Sequence, residues 1–294
     1  MKVLVTGATG FVGPKVVHAL RARGADVRAL VRRPERAARL EGLGAELAAG
    51  DITDPASMRA ALDGCTHVVH LVSILKGSPI DFERLMTQGT KDLVAAAKDA
   101  GVERFVLMSS LGTDETTKDA IPYYKAKWAM EQAVAGSGLE YTTFRPSFIF
   151  GPGGALPMFM TQVRYSPLVT VIGSGGQRIQ PIWVEDVAEY FARAVDLPEA
   201  ANRTFEIGGP DVVTWNELYL TIARVLGKHR RLAHIPTGLA RAGARLTQWA
   251  PGAPVTTDQI AMIEAGDNVA VNTDAVYTFE LPLVALEEQI RRCA

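Results

Sequence analysis

The sequence predicts an α/β protein built on a doubly wound parallel sheet, with a smaller C-terminal lobe. Three observations predict it: short apolar runs alternate with helical patterns, glycines lie at the first strand–helix turn, and the alternation stops after Phe150. Alternating strands and helices imply right-handed crossovers and a parallel sheet that is covered by helices on both faces.

The predicted elements follow one another in a regular order through the first half of the chain. Short runs rich in β-branched, aromatic or other apolar residues predict strands over residues 2–7, 26–31, 67–72, 104–110 and 140–146. Stretches with helical periodicity, each closed by a glycine, predict helices over residues 13–24, 54–64, 81–101 and 123–138.

The second half of the chain has a different texture. "GPGGALPMFM" and "IGSGGQ" are rich in loop residues, whereas residues 182–210 resemble a helix and a strand that return to the main sheet. Residues from 214 onwards are mainly helical in pattern. We therefore expect a main domain over 1–150, joined by 177–210, and a smaller substrate-side lobe formed by 151–176 and 211–294.

Charge and cysteine content narrow the function classes. The chain has 31 basic and 32 acidic side chains, which argues against a nucleic-acid-binding protein. Cys65 and Cys293 lack CxxC spacing and partner histidines, so we expect free thiols in a reducing compartment and no metal site. The start "MKVLVTGATG" lacks the features of a signal peptide. We expect a cytoplasmic protein, monomer or dimer, that acts on a small molecule.

A glycine-rich turn joins the first strand to the first helix. Its residues expected to contact a cofactor are Gly7, Thr9, Gly10, Phe11, Val12 and Gly13. Glycines here allow a tight turn and let backbone N–H groups approach a pyrophosphate at the helix N-terminus. A plain strand–helix turn is the alternative, but the strand–turn–helix context favours a dinucleotide.

Two arginines follow the second strand, where NAD-binding proteins place an acidic residue on the adenosine ribose. Arg32 and Arg33 could pair with the 2′-phosphate of NADP(H). The alternative is a solvated helix start, because Glu35 and Arg36 continue the charged run. This chemistry favours NADP(H) over NAD(H).

Several motifs in this order resemble the short-chain dehydrogenase/reductase superfamily, in its extended and atypical branch. They are "TGATGFVG", "GDITD" (50–54), "HLVS" (70–73), "YYKAK" (123–127), "RPSFIFGPGG" (145–154) and "PIWVEDVAE" (181–189). Within that branch, "FERLMTQGTKDLV" and "RFVLMSSLGTD" are most similar to proteins related to the nucleotide-binding accessory subunit of respiratory complex I. The resemblance implies a Rossmann fold and an NAD(P)-dependent oxidoreductase or an epimerase/dehydratase.

The resemblance also implies roles for individual residues. The implied cofactor contacts are Asp51 and Ile52 at the adenine, Leu71, Val72 and Ser73 at the pyrophosphate and ribose, and Arg145, Pro146, Ser147 and Phe148 beside the nicotinamide. Ser110 matches the active-site serine of the family, and Ser109 replaces it if the register slips by one. The chain departs from the family pattern at Leu111, within "LGTD", and at Met86, where a polar residue is usual.

Tyr123 and Lys127 lie four residues apart, which places both side chains on one face of a helix. An ammonium near a phenol stabilises the phenolate, so we expect Tyr123 to exchange a proton with a substrate oxygen near neutral pH. Lys127 would also bind the nicotinamide ribose. A helix with a polar face is the alternative, and Glu131 fits a helix-face contact or a salt bridge.

The histidines and two further segments are weaker candidates for functional sites. The five histidines, His18, His67, His70, His229 and His234, show no metal-ligand spacing and are expected to be structural. "GKHRRLAHIP" (227–236) fits a solvated face. "GLARAGARLTQWAPG" (238–252) could lie against a membrane or a partner protein, although we expect it to pack against the core.

Two functions follow from these patterns. The first is an NAD(P)-dependent oxidoreductase or epimerase-like enzyme, in which Tyr123 transfers the proton. We expect its substrate to be lipophilic and to enter near residues 151–160 and 180–183, because both segments are apolar. The second is a non-catalytic NADPH-binding protein that serves as an accessory subunit, an assembly factor or a redox sensor.

Overall fold

Two units make up the part of the chain that the computed structural model describes, residues 1–247 and 256–294. The first unit contains Met1–Pro146, Val184–Ile207 and Val271–Leu281, and the second contains Ser147–Trp183, Gly208–Ala270 and Pro282–Ala294. The functional division into a nucleotide-binding domain and a substrate-side lobe stays a prediction. Of the segment 238–252, residues 248–252 lie outside the described residues.

The helices and strands are numbered in chain order. The strands are β1 (Lys2–Thr6), β2 (Asp26–Val31), β3 (Glu46–Ala49), β4 (His67–His70), β5 (Arg104–Met108), β6 (Glu140–Pro146), β7 (Ile149–Phe150), β8 (Leu168–Ile172), β9 (Arg178–Ile179), β10 (Ile182–Trp183), β11 (Arg203–Ile207), β12 (Val213–Thr214) and β13 (Arg231–Ile235). The helices are α1 (Gly13–Ala22), α2 (Ala38–Gly42), α3 (Pro55–Leu62), α4 (Pro79–Phe82), α5 (Gly89–Asp99), α6 (Pro122–Ala135), α7 (Leu156–Tyr165), α8 (Val184–Ala194), α9 (Trp215–Val225), α10 (Thr237–Thr247), α11 (Thr257–Glu264), α12 (Thr273–Phe279) and α13 (Leu286–Cys293).

A seven-stranded sheet in the order β11-β6-β5-β4-β1-β2-β3 forms the centre of the first unit. Every neighbouring pair in this sheet is parallel, and helices flank it. The predicted doubly wound parallel sheet is therefore confirmed. The sequence did not predict β3, because its residues ELAA include no β-branched side chain. Pairing with β2 at the sheet edge makes this segment a strand.

The helix predicted over residues 81–101 is interrupted near its start. Glu83–Gln88 form a π-helical turn between α4 and α5, and this turn buries Met86 and Thr87. The Thr90 hydroxyl donates to the Met86 carbonyl oxygen at 2.5 Å. Turns of this kind often occur at functional sites. This one begins directly after Phe82, which packs against Tyr123 of α6.

Each unit has its own aromatic core. In the first unit, Phe144 of β6 lies 4.8 Å from Phe191 and 5.5 Å from Phe279, measured between ring centres. In the second unit, Phe159 of α7 packs edge-on against Trp215 of α9 at 5.7 Å. Close aromatic packing of this kind holds α8 and α12 on the main sheet, and α7 on α9.

Over residues 238–247, the described part of the segment 238–252, helix α10 contradicts the expectation of packing against the core. Among residues 237–247 only Ala244 is buried, whereas Leu239 and Leu246 are exposed. Across the described residues, no helix has both the length and the apolar character that crossing a bilayer requires.

Candidate functional site

At two positions of the glycine-rich turn between β1 and α1, a side chain would force the backbone to shift. Gly7 has φ +74°, and a Cβ atom there would lie 2.8 Å from the backbone carbon of Leu71. A Cβ atom on Gly13 would lie 2.3 Å from the carbonyl oxygen of Ala8. The turn is therefore pressed against the end of β4 on one side and against the start of α1 on the other.

The start of α1 suits an anion. Among the described residues, no side chain caps this helix, and Pro14 occupies its first turn. Thr9 and Gly10 are exposed beside it. Backbone N–H groups and the helix dipole at such an end attract a phosphate. The turn therefore fits the pyrophosphate of a dinucleotide, with room for close approach at Gly10.

The end of β2 and the π-helical turn bring positive charge to the expected adenosine side, where Asp51 follows β3. Arg32 and Arg33 are exposed just after β2. Partial burial acts to raise the pKa of Asp51, but hydrogen bonds from Thr53 and the guanidinium groups of Arg32 and Arg84 outweigh it and leave the pKa below its usual range. Sequence reasoning missed Arg84, because it lies in the π-helical turn, far from the other two arginines along the chain.

Tyr123 and Lys127 share the buried face of α6, as their spacing predicts. The Lys127 Nζ lies 5.8 Å from the centre of the Tyr123 ring and donates to the Met108 carbonyl oxygen at 2.7 Å. The nearby hydroxyl groups of Ser110 and Ser73 act to lower the pKa of the Tyr123 phenol, although the Ser110 hydroxyl donates to the Leu111 carbonyl oxygen at 3.2 Å and the Ser73 hydroxyl has no hydrogen-bond partner among the described residues. The Tyr123 phenol therefore lies near three parts of the chain. These are the end of β5, which brings Ser110, the segment after β4, which brings Ser73, and the face of α6 that carries Lys127.

Burial controls the protonation of both groups. It raises the pKa of Tyr123, against the opposing effect of the Ser110 and Ser73 hydroxyls. It lowers the pKa of Lys127 to about 7, and Glu131 only partly opposes this shift. The expectation that Lys127 brings the phenol pKa towards neutral is therefore wrong for this structure, because removal from water penalises the charged form of each group.

The two serines at the end of β5 differ in their surroundings. Ser110 is half-buried, its hydroxyl donates to the Leu111 carbonyl oxygen at 3.2 Å, and it acts to lower the pKa of Tyr123, whereas the Ser109 hydroxyl is buried without a partner among the described residues. The Thr113 hydroxyl is also buried without a described partner. This placement favours Ser110 as the serine that meets the reacting oxygen, which stays a prediction.

A buried histidine network lies behind this site and was missed by the sequence analysis. The ring of His70 in β4 makes two hydrogen bonds. One joins Nδ1 to the Thr6 hydroxyl at 2.6 Å, and the other joins Nε2 to the Thr90 hydroxyl at 2.9 Å. Because the Thr90 hydroxyl donates to Met86, it must accept from His70 Nε2–H, and Nδ1 must accept from Thr6. Burial, with a contribution from Lys127, lowers the pKa of His70 to about 3.

Side-chain contacts hold the end of β6 and the residue that follows it. Arg145 makes a two-pronged ion pair with Glu131, at 2.9 and 2.6 Å, which confirms the expected salt bridge of Glu131. Pro146 ends β6, and the Ser147 hydroxyl donates to the Asn268 carbonyl oxygen at 3.0 Å.

Phe148 of the second unit packs edge-on against Trp215. The cofactor contacts of Arg145, Pro146, Ser147 and Phe148 stay predictions, as does substrate entry near residues 151–160 and 180–183.

A cavity of about 760 Å³ opens in the first unit beside α6. It is lined by α4, the π-helical turn and the start of α6, with Phe82, Arg84 and Lys125 among its walls. The Phe82 ring packs edge-on against the Tyr123 ring, with 6.4 Å between centres. The volume of this cavity lies in the range that is typical of small-molecule binding sites.

Comparison with known proteins bears on this site. A family model described as NAD(P)H-binding matches residues 7–196. The chain is 32% identical over 251 residues to a ceramide reductase of Caulobacter vibrioides, covering 84% of this chain and 78% of that protein. It is 30% identical over 241 residues to the photosystem II assembly factor Ycf39 of Guillardia theta, covering 81% and 74%.

One solved structure of similar fold is the NADPH-dependent quinone oxidoreductase QOR2 of Escherichia coli in complex with NADPH. Its TM-score is 0.81, its sequence identity is 21%, and the match covers 98% of each chain. At this identity, the likeness is one of fold.

Proposed function

This chain belongs to the NAD(P)H-binding family, and from that premise we propose that it is an NADPH-dependent oxidoreductase of the extended short-chain dehydrogenase/reductase branch, which reduces a carbonyl or quinone oxygen of a lipophilic substrate. The observation that carries the proposal is the meeting of Tyr123, Lys127 and Ser110 at one buried phenol. An epimerase or dehydratase would use the same pair.

Different segments of the chain would bind different parts of the cofactor. The Gly7 turn and the open start of α1 would hold the pyrophosphate, and Arg32 with Arg33 would hold the 2′-phosphate. Bound NADPH supplies a hydride. Asp51 and the segment from Leu71 to Ser73 would line the adenosine and ribose, as the family resemblance implies.

Tyr123 supplies the proton in this proposal. Its raised pKa keeps the phenol protonated at neutral pH, which suits a donor to an oxygen that gains negative charge. The Ser110 hydroxyl beside it can donate a second hydrogen bond to that oxygen. Lys127 can return a proton to the phenol, since burial brings its pKa to about 7.

Two observations support a lipophilic substrate. A relative that covers most of this chain is named a ceramide reductase. The side of Tyr123 that faces α4 is closed by the ring of Phe82, which also lines the cavity beside α6. An apolar ring beside the proton donor excludes water on that side and favours an apolar group next to the reacting oxygen.

The test compares Tyr123→Phe with Tyr124→Phe, because Tyr124 is its buried neighbour on the same helix. NADPH oxidation is measured against apolar ketones and against quinones. We expect Tyr123→Phe to lower kcat at least about 100-fold with NADPH affinity unchanged, and Tyr124→Phe to change it little. Equal rates in the wild type and Tyr123→Phe would refute the proton-donor role.

A second candidate is a non-catalytic NADPH-binding protein that assists assembly or senses redox state, as in accessory subunits of respiratory complexes. The relative named Ycf39 supports it. So does Lys127, whose ammonium is buried, bonded to a backbone carbonyl and easily neutralised. NADPH binding without turnover of any tested ketone or quinone would favour this candidate.

A further inference from the structure

We propose that α10 docks the protein on an anionic lipid surface. The proposal rests on the distribution of basic residues in the second unit, on their ion pairing, and on the face of α10 that carries the leucines. It is independent of the redox chemistry proposed above.

Basic residues are concentrated in one stretch of the second unit. The 40 residues from Leu218 to Thr257 contain six Lys and Arg residues and no Asp or Glu, within a chain of net charge −1. This stretch therefore carries +6, and the rest of the chain carries the compensating −7. A cluster of positive charge of this kind is attracted to negative surfaces.

Three of these six basic residues make no ion pair within the described residues, so their charges can interact with an external partner. Two of the arginines pair with acidic side chains of the second unit, and a third donates to backbone carbonyl oxygens. The other three, Lys228, Arg231 and Arg245, are exposed and make no ion pair with any residue in the described ranges. Their charges are free to meet phosphate head groups.

The apolar face of α10 points to solvent. Leu239, Ala242, Gly243 and Leu246 follow the spacing of one helix face, and all are exposed, Leu239 at 66% and Leu246 at 83%. Ala244, the buried residue of the helix, lies on the other side. A surface helix of a globular protein normally buries its apolar stripe, so this orientation calls for an apolar partner.

An anionic bilayer surface meets both requirements. Leucines on one helix face enter the boundary between head groups and acyl chains, while flanking arginines pair with phosphates. A nucleic acid would satisfy the charges but offers no comparable layer for Leu239 and Leu246. The leucines together with the unpaired basic residues therefore favour lipid.

The experiment uses the full chain in vesicle sedimentation. The vesicles contain phosphatidylcholine mixed in equal parts with phosphatidylglycerol, or phosphatidylcholine alone. The variants are Leu246→Asp and Arg245→Ala, with Val271→Asp as the control, because Val271 is similarly exposed, at 79%, outside the basic stretch. Thermal melting and NADPH affinity establish that each variant is folded.

We expect the wild type and Val271→Asp to sediment with the anionic vesicles and to be released by salt. Leu246→Asp should weaken this binding at least about tenfold, and Arg245→Ala by about fivefold. Equal binding to both vesicle types, or binding that Leu246→Asp leaves intact, would overturn the proposal. So would a solution dimer that Leu246→Asp dissociates, because α10 would then be covered by a second copy of the chain.

Discussion

The ammonium of Lys127 lies 5.8 Å from the centre of the Tyr123 ring and yet is bonded to the backbone, at the Met108 carbonyl oxygen. Helical spacing brings the two residues together, and burial then shifts their pKa values in opposite directions. The phenol holds its proton more tightly, whereas the ammonium gives its proton up more easily. The pair is therefore arranged to deliver a proton rather than to store a phenolate.

Stability should rise with pH above neutral because of Lys127. Its pKa is about 7 in the folded protein and near 10.4 in the unfolded chain, so the unfolded chain binds more protons between these values. From pH 7 to 9, the free energy of unfolding of the wild type should increase by about 2 kcal/mol more than that of Lys127→Met. Urea unfolding at both pH values measures this, and parallel profiles would contradict the lowered pKa.

His70 should make the protein sensitive to acid. Its pKa is about 3 when folded and near 6.5 when unfolded, so stability is lost as the pH falls from 6.5 towards 3. Between pH 7 and 5, the wild type should lose about 2 kcal/mol more than His70→Asn, although the variant is less stable at pH 7. His18→Asn is the control, since His18 is exposed on α1. A slope unchanged in His70→Asn would contradict a buried neutral imidazole.

Arg32 and Arg33 should decide the choice between NADPH and NADH. The double change to alanine should weaken NADPH binding by about 30-fold, because charge-assisted hydrogen bonds to the 2′-phosphate are lost, and should leave NADH binding unchanged. Fluorescence titration with each nucleotide measures both affinities. Arg59→Ala, an exposed arginine of α3, is the control. An unaltered preference would assign the two arginines to a solvated surface.

Gly7→Ala should lower the stability of the protein by more than backbone strain alone would. Gly24 also has a positive φ, +81°, but a Cβ atom there would meet nothing within 4 Å, so Gly24→Ala should destabilise by about 1 to 2 kcal/mol. Gly7→Ala would also bring Cβ within 2.8 Å of the Leu71 backbone and displace the turn from β4. We expect greater destabilisation and a loss of NADPH affinity that Gly24→Ala does not show. Thermal melting and nucleotide titration together separate these effects.

Local patterns in the sequence were sufficient for much of the fold. Alternating apolar runs and helical periods predicted the strands β1, β2, β4, β5 and β6 and the helices α1, α3, α5 and α6, but not the short helix α2, and glycine spacing predicted the turn at Gly7. The four-residue spacing of Tyr123 and Lys127 placed them on one helix face. These features can be predicted from the sequence because each depends only on residues that are close together along the chain.

Only the tertiary structure decided how the site is tuned. The His70 network joins residues that are 64 and 20 positions apart, and Arg145 meets Glu131 from another element. Edge pairing made β3 a strand, and burial reversed the expected effect on the phenol of Tyr123. The sequence by itself determined the parallel sheet and the pairing of Tyr123 with Lys127. The protonation of these two side chains was decided by packing, because desolvation and long-range contacts depend on which elements pack together.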